Sequence, residues 1–285
     1  MLRNIIFASG GIKGLCFLGC IKALEERNAI QSIKVFVGCS VGAIVATLLS
    51  VGYTSSELME IALHLDFSEY KDINTDNILG FFETFGIDNG QKLMNLFSIC
   101  LKQKTRNPNI TFLELFQQTQ KKLIIYGTCL NDQSARVFSY ETTPNMSIIE
   151  AVRISISIPL FYTMCNYQNQ SYVDGAIAST YPIEMFKDEL DCTLGFYFNN
   201  PIQYIEQIDT IEKYIKAILN SFYRVLEKQI IGKYKPYTVL LQPKVETLHF
   251  NLNPDEKKEM FEHGYMETIK YFHKKQFQKC LAKIV

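Results

Sequence analysis

The chain has 285 residues, 47% hydrophobic and 20% charged, enough apolar material for a sizeable core and too much for a disordered chain. Lys plus Arg equals Asp plus Glu at 29 each, so no basic excess points to a nucleic-acid partner. The eight cysteines sit mostly inside apolar segments and are expected to be reduced core thiols. With no C-x-x-C or Cys/His spacing of a zinc site, neither a metal nor another cofactor is expected. The opening run Met1–Ala8 is too short for a secretory leader, and no later apolar run reaches the ~20 residues of a membrane span, so a cytoplasmic setting is expected.

Ile5–Ala8 reads as a short buried strand, followed by Ser9-Gly10-Gly11-Ile12-Lys13-Gly14 and then by Leu15–Arg27, with Leu15, Leu18, Ile21 and Leu24 at helical spacing. A glycine-rich loop between strand and helix aims backbone N–H groups and the positive helix end at one spot, which suits an anion. That anion is a phosphate or the oxyanion of an acyl transfer; the third possibility is a tight turn that only packs helix on strand. The G-x-G-x-x-G nucleotide fingerprint is not matched. Val35–Val37 predicts a second strand, and Gly38-Cys39-Ser40-Val41-Gly42, with small and aliphatic residues running on to Thr47, has the strand–turn–helix setting of a G-x-S-x-G nucleophile elbow. Ser40 is the candidate nucleophile. A β-loop-α-β-elbow-α order in a parallel sheet puts both loops at strand C-terminal ends, hence on one edge.

These residues carry a resemblance. Ser9–Gly14, Leu18-Gly19, Lys22–Glu26 and Gly38–Ala43 together resemble the opening of the patatin-like phospholipase family, with Ser9 in place of the first of three loop glycines.

Further on, Ser55–His64 and a stretch from Asn89 or Gly90 through Leu101 read as helices. Between them Ile78–Ile87 gathers Phe81, Phe82 and Phe85. It is either a lid or membrane-touching surface guarding an apolar acyl channel, or a turn packed in the core. Phe85–Leu93 is similar to a segment that patatin-like proteins carry. Thr111…Glu114 and Ser147…Glu150 are capping boxes opening helices to Gln120 and to about Ser155. Lys122–Leu130 and Arg136–Tyr140 predict strands, and Thr163–Asn166 with Tyr167–Val173 a hairpin-like pair. Ile154–Phe161 resembles the family's Ala-Ser-x-x-x-Pro-x-x-Phe element; Ser155 and Ser157 lack elbow glycines and are not nucleophile candidates.

Asp174-Gly175-Ala176 at the end of that pair would by itself read as a turn. The resemblance implies more: the Asp of the family's D-G-G/A motif is the nucleophile's side-chain partner, and Tyr181-Pro182 also matches. It therefore implies a Ser40–Asp174 dyad, an oxyanion hole from Gly10, Gly11 and Ile12, and supporting roles for Gly38, Gly42, Lys13, Gly14, Gly175 and Ala176. A carboxylate of ordinary pKa, ~3.9, is a feeble base, so Asp174 is expected to be buried. His64, His249, His263 and His273 read as surface or helix-packing residues, which favours a dyad over a triad.

The late segments are a strand Cys192–Phe198, an amphipathic helix Tyr204–Ile231 striped by Ile208, Ile211, Ile215, Ile218, Phe222 and Val225, a strand Tyr237–Gln242 and a helix Pro254–Lys283. The expectation is a three-layer α/β fold with a largely parallel central sheet flanked by helices, patatin-like, as one domain over residues 1–285: a catalytic core of about 5–200 completed by about 201–285. The implied activity is that of a serine lipid acyl hydrolase of phospholipase A type on glycerophospholipids at a peripheral membrane surface, with no protein partner inferable. The alternatives are a lysophospholipase or acyltransferase with the same dyad, and an inactive structural protein that retains the fold.

Overall fold

Along the first strand apolar side chains alternate between two buried faces: Ile5 and Phe7 enter one core, Ile6 and the following Ala8 the other. The same alternation holds for Phe36 against Val37, for Leu123 and Ile125 against Ile124 and Tyr126, and for Phe196 against Tyr197. A sheet buried on both faces needs apolar residues at every strand position, which is why these segments read as continuous runs. The computed structural model describes residues 1–281 apart from 74–79, 200–203, 211–212, 215–216, 219, 222–231, 246 and 248, and apart from the side chains of 279–281.

The strands are β1 (Asn4–Phe7), β2 (Val35–Cys39), β3 (Gly86–Asp88), β4 (Lys122–Cys129), β5 (Ser134–Phe138), β6 (Leu160–Tyr162), β7 (Cys165–Tyr167), β8 (Gln170–Asp174), β9 (Thr193–Phe198) and β10 (Thr238–Leu241). The main sheet runs β10-β9-β1-β2-β4-β8-β7, with β5 also on β4. The five strands from β10 to β4 are mutually parallel, whereas β5 and β8 are antiparallel to β4, and β7 to β8. β3 and β6 form a separate parallel pair. The sheet is thus mixed with a parallel centre, as expected. Gln168 and Asn169, both at positive φ, make the two-residue turn between β7 and β8.

β4 acts as a ruler. Its first part pairs with β2, ending at Cys39 opposite Tyr126, and its last part pairs with β8, where Asp174 stands opposite Gly127. β5 covers β4 on the other side, from Ile125 to Cys129. β2 and β8 therefore meet end to end along one edge of β4, running in opposite directions.

The helices are α1 (Leu15–Glu26), α2 (Val41–Ser50), α3 (Ser55–His64), α4 (Gln91–Thr105), α5 (Phe112–Thr119), α6 (Ile148–Ser155) and α7 (Pro254–Leu281). Thr54 with Glu57 and Thr111 with Glu114 form complete capping boxes at α3 and α5. The box expected at Ser147 does not form: its side chain makes no cap bond, and its backbone instead bridges to Thr111. α7 crosses α1 with backbones almost touching, since a Cβ on Gly19 would lie 1.8 Å from the Phe261 carbonyl oxygen and one on Gly264 1.8 Å from that of Cys16. Any side chain at either glycine would force the two helices apart.

One further expectation needs correction, and one open alternative is decided. Tyr204–Thr210 is not helical, and Tyr204 and Ile208 are 88% and 54% exposed, so the expected helix does not begin there. Of the rest of its stripe, Ile211, Ile215, Phe222 and Val225 lie outside the described residues. The aromatic segment does not pack in the core at Phe82 and Phe85, which are 86% and 52% exposed around a single helical turn at Phe81–Thr84; Ile78 and Leu79 lie outside the described residues. No helix among the described residues is long and apolar enough to cross a membrane.

Candidate active site

β2 delivers Ser40 onto the first turn of α2 through a backbone that non-glycine residues avoid, φ 55° and ψ −127°. Such a conformation costs about 1–3 kcal/mol and persists only where its surroundings enforce it. The enforcement is visible in the flanking glycines: a Cβ on Gly38 would fall 2.2 Å from the Gly42 carbonyl oxygen, and one on Gly42 2.2 Å from that of Phe7. Strand and helix approach too closely for any side chain at either position. Ser40 thus sits on the sharp strand–turn–helix corner expected from G-x-S-x-G.

The Ser40 hydroxyl donates to Asp174 Oδ2 at 2.7 Å. The other carboxylate oxygen accepts from the Ala176 amide at 2.8 Å. Asp174 is tied down on its backbone as well: its N–H donates to the Ser157 carbonyl at 2.8 Å and its carbonyl accepts from the Thr128 hydroxyl at 2.8 Å. Gly175 is needed beside it because a Cβ there would meet the Tyr126 carbonyl oxygen at 2.3 Å. Ser40 and Asp174 are 4% and 1% exposed. Burial pushes the Asp174 carboxyl up to about 7, against the opposing effect of its hydrogen bonds from Ser40 and Ala176. That is where a general base at neutral pH is most effective. No histidine among the described residues hydrogen-bonds either member; His263, for example, accepts from the Gln242 amide at 2.9 Å through Nε2.

Ser155 is a site residue that the sequence reading missed. The Ser40 N–H donates to its hydroxyl oxygen at 2.9 Å, and that hydroxyl in turn donates to the Tyr126 carbonyl at 2.6 Å. The buried Ser40 amide is thereby satisfied and the elbow is moored to β4. The only trace in the sequence was the Ala-Ser-x-x-x-Pro-like element.

The glycine loop lies beside the elbow because β1 pairs in parallel with β2, Phe7 opposite Gly38. Ser9 does not have positive φ, and its N–H donates to the Thr180 carbonyl at 3.1 Å, so a serine occupies the loop's entry without backbone strain. Gly11, at φ +55°, does require glycine, and a Cβ there would lie 2.3 Å from the Thr247 carbonyl oxygen. The Gly10 and Gly11 amides have no acceptor among the described residues. Ile12 differs from the expectation of a third open donor: its N–H donates to that same Thr247 carbonyl at 3.0 Å. Lys13 is buried with its ammonium 5.5 Å from the centre of the Phe198 ring, and Gly14 lies so close to Val41 that a Cβ would clash with the valine side chain.

A mixed α/β sheet carrying a strained serine at one strand end and a buried aspartate at the facing end of another defines a fold class with close relatives. The patatin-like phospholipase family model matches residues 5–187, and the chain belongs to that family. It is 32% identical to uncharacterized protein R571 of Acanthamoeba polyphaga mimivirus over 279 residues, 92% of this chain and 91% of that protein. To the probable lipid hydrolase 463L of Invertebrate iridescent virus 6 it is 29% identical over 185 residues, 64% and 62% of the two chains. Among solved structures the fold is similar to VipD from Legionella pneumophila, with a TM-score of 0.62 at 16% identity, covering 96% of this chain and 67% of VipD. It is also similar to the type III effector protein ExoU, with a TM-score of 0.57 at 18% identity, where 96% of this chain spans about half, 53%, of that one.

Proposed function

We propose that the protein is a serine lipid acyl hydrolase of phospholipase A type, cleaving fatty-acyl esters of glycerophospholipids through a Ser40–Asp174 dyad and an acyl-enzyme. The observation that carries this reading is the 2.7 Å hydrogen bond from the Ser40 hydroxyl to a buried carboxylate, with no other base in contact among the described residues. Ser40 attacks the ester carbonyl while Asp174 takes its proton, and the Gly10 and Gly11 amides donate to the oxyanion. The tetrahedral intermediate collapses to the acyl-enzyme as the proton passes from Asp174 to the departing alkoxide. Water, deprotonated by Asp174, then releases the fatty acid and regenerates Ser40. The whole chain, residues 1–285, acts as one catalytic unit in this reading, because β9, β10 and α7 complete the sheet and the layer over α1.

A lipid substrate is supported by family membership and by the relative named as a probable lipid hydrolase. The reading has the protein working from the cytoplasm at a membrane surface; the exposed Phe82 and Phe85 suit such an interfacial contact. The test is labelling by a fluorophosphonate probe together with fatty-acid release from mixed phospholipid vesicles. Both should occur in the parent and vanish in Ser40→Ala. Labelling or release that survives in Ser40→Ala would sink the mechanism, and an inert parent that still binds vesicles would favour a structural role.

A further inference from the structure

Both members of the dyad hang on one short stretch of chain, the C-terminal end of α6 and the turn after it. The Ser40 N–H donates to the Ser155 hydroxyl oxygen at 2.9 Å, and the Asp174 N–H to the Ser157 carbonyl at 2.8 Å. Ser155 and Ser157 are both buried. A helix end is prone to fray, because its last carbonyls have no partner within the helix. A nucleophile and a base that depend on such an end need it held.

Arg153, in the last turn of α6, ties that end to three segments. Its Nη1 donates to the Ser157 hydroxyl oxygen at 2.5 Å, and that hydroxyl donates in turn to the Arg153 carbonyl at 2.7 Å. Nε and Nη2 both reach the Asn89 carbonyl, at 3.1 and 2.9 Å. Nη2 also donates to Thr163, to the carbonyl at 3.0 Å and to the hydroxyl oxygen at 2.8 Å. Asn89 and Thr163 directly follow β3 and β6, the parallel pair that stands apart from the main sheet. The residue after Asn89 leaves the room, since a Cβ on Gly90 would lie 2.9 Å from Arg153 Nε. All of these acceptors are neutral oxygens. A planar fork of donors reaches them together, which the single ammonium of a lysine cannot do.

We propose that Arg153 is a positioning residue for both halves of the dyad: it pins the end of α6 to the β3–β6 pair, and thereby fixes the Ser155 hydroxyl and the Ser157 carbonyl that hold the Ser40 and Asp174 amides. The inference rests on Ser40 and Asp174 being the reacting pair. Arg153 makes no hydrogen bond to either residue, and the influences on the Asp174 carboxyl are burial and its bonds from Ser40 and Ala176, not this guanidinium. It acts through place and not through charge. Arg153→Lys, which keeps the charge and loses the fork, isolates that action.

The experiment follows hydrolysis of p-nitrophenyl butyrate in the parent, in Ser40→Ala, in Arg153→Lys and in the milder Thr163→Val, which keeps the side-chain shape and the carbonyl and removes one acceptor. Active sites are counted by exhaustive fluorophosphonate labelling, and kcat is expressed per labelled site, so that loss of folded protein does not enter. Per site, kcat should fall ~10–100-fold in Arg153→Lys with KM within about twofold of the parent. The rise of kcat/KM with pH should move below about 7, because a loosened turn lets water reach Asp174 and its carboxyl titrates closer to the ordinary 3.8. Thr163→Val should show a smaller loss in the same direction, and adding it to Arg153→Lys should cost less than it does alone. A per-site kcat in Arg153→Lys within ~threefold of the parent, with an unmoved pH profile, would overturn the role and leave the dyad standing. Should Arg153→Lys fail to fold, a Thr163→Val with both quantities unchanged would overturn it equally. Activity absent from the parent, or surviving in Ser40→Ala, would overturn the dyad and this role with it.

Discussion

The two glycine-bearing turns that follow β1 and β2 stand side by side on one sheet edge and are held by different means. At the elbow, Gly38 presses against the Gly42 backbone of its own β-turn-α unit, Gly42 against the Phe7 carbonyl of the adjacent β1, and the Ser40 amide is moored through Ser155 to β4. At the glycine loop, Gly10 presses against the ring of Phe198, and Gly11 and Ile12 against the carbonyl of Thr247. Those partners come from the last third of the chain. The steric limits of the elbow come from the two opening strands, with one remote hydroxyl as mooring, whereas the glycine loop is shaped by segments near the end of the chain.

The comparison can be broken from either side, and the largest effect should come from the dyad. Asp174→Asn should lower kcat by ~10³-fold or more, because amide nitrogen cannot take the Ser40 proton. In the parent, kcat/KM should rise with pH through about 7 as Asp174 ionises, and this dependence should disappear in the variant. Stability should show the opposite sense. The carboxyl is protonated more readily in the fold, at about 7, than at its ordinary 3.8, so its stabilising contribution is present at low pH and lost as pH rises through 7. Asp174→Asn, neutral throughout, should therefore melt above the parent at pH 8, measured by calorimetry; a lower Tm there would show that the buried charge is not a cost.

At the elbow, Gly42→Ala places a methyl 2.2 Å from the Phe7 carbonyl oxygen and should destabilise the fold by ~3 kcal/mol or abolish soluble expression. A well-folded, active Gly42→Ala would mean that the elbow is not rigid. Ser155→Ala leaves the Ser40 N–H without its acceptor, a loss of ~1–3 kcal/mol. If that strain falls on the elbow, kcat should drop ~10–100-fold with KM little changed, and Ser155→Thr, which keeps the hydroxyl, should recover part of it. The smallest effect is expected at the loop. The atoms nearest a methyl in Gly10→Ala belong to the Phe198 ring, the first at 2.3 Å, so the change should cost ~1 kcal/mol and less than tenfold in kcat/KM; a larger loss than in Ser155→Ala would reverse the ranking of the two turns.

Much of the site was legible in the chain because its signals are local. G-x-S-x-G between an apolar run and small helix-forming residues specifies a sharp turn that only glycine-flanked backbone can make, and Ser40 is there. The capping box at Thr111 involves side chains three residues apart, so it forms where the backbone starts a helix, although Ser147 shows that a competing backbone bridge can displace one. Asp174 was different: D-G-A reads as a turn on its own residues, and its role came only from the family resemblance. The choice between an exposed and a core-packed Phe82 and Phe85, the non-helical Tyr204–Thr210 and the mooring by Ser155 were not legible, since each depends on what another segment does or does not cover.

By itself, then, the sequence determined an α/β fold with a parallel centre, the serine at the elbow, and a loop rich in amide donors beside it, all consequences of short-range sterics and alternating burial. Only the tertiary structure decided that β2 and β8 end against consecutive residues of β4, Tyr126 and Gly127. That register brings Ser40 within 2.7 Å of a residue 134 positions away. It also seals the carboxylate from water, and so turns an ordinary aspartate into one that titrates near 7. Distance along the chain carries no record of such a meeting, because it is set by sheet pairing, and the pKa follows from burial that the pairing creates.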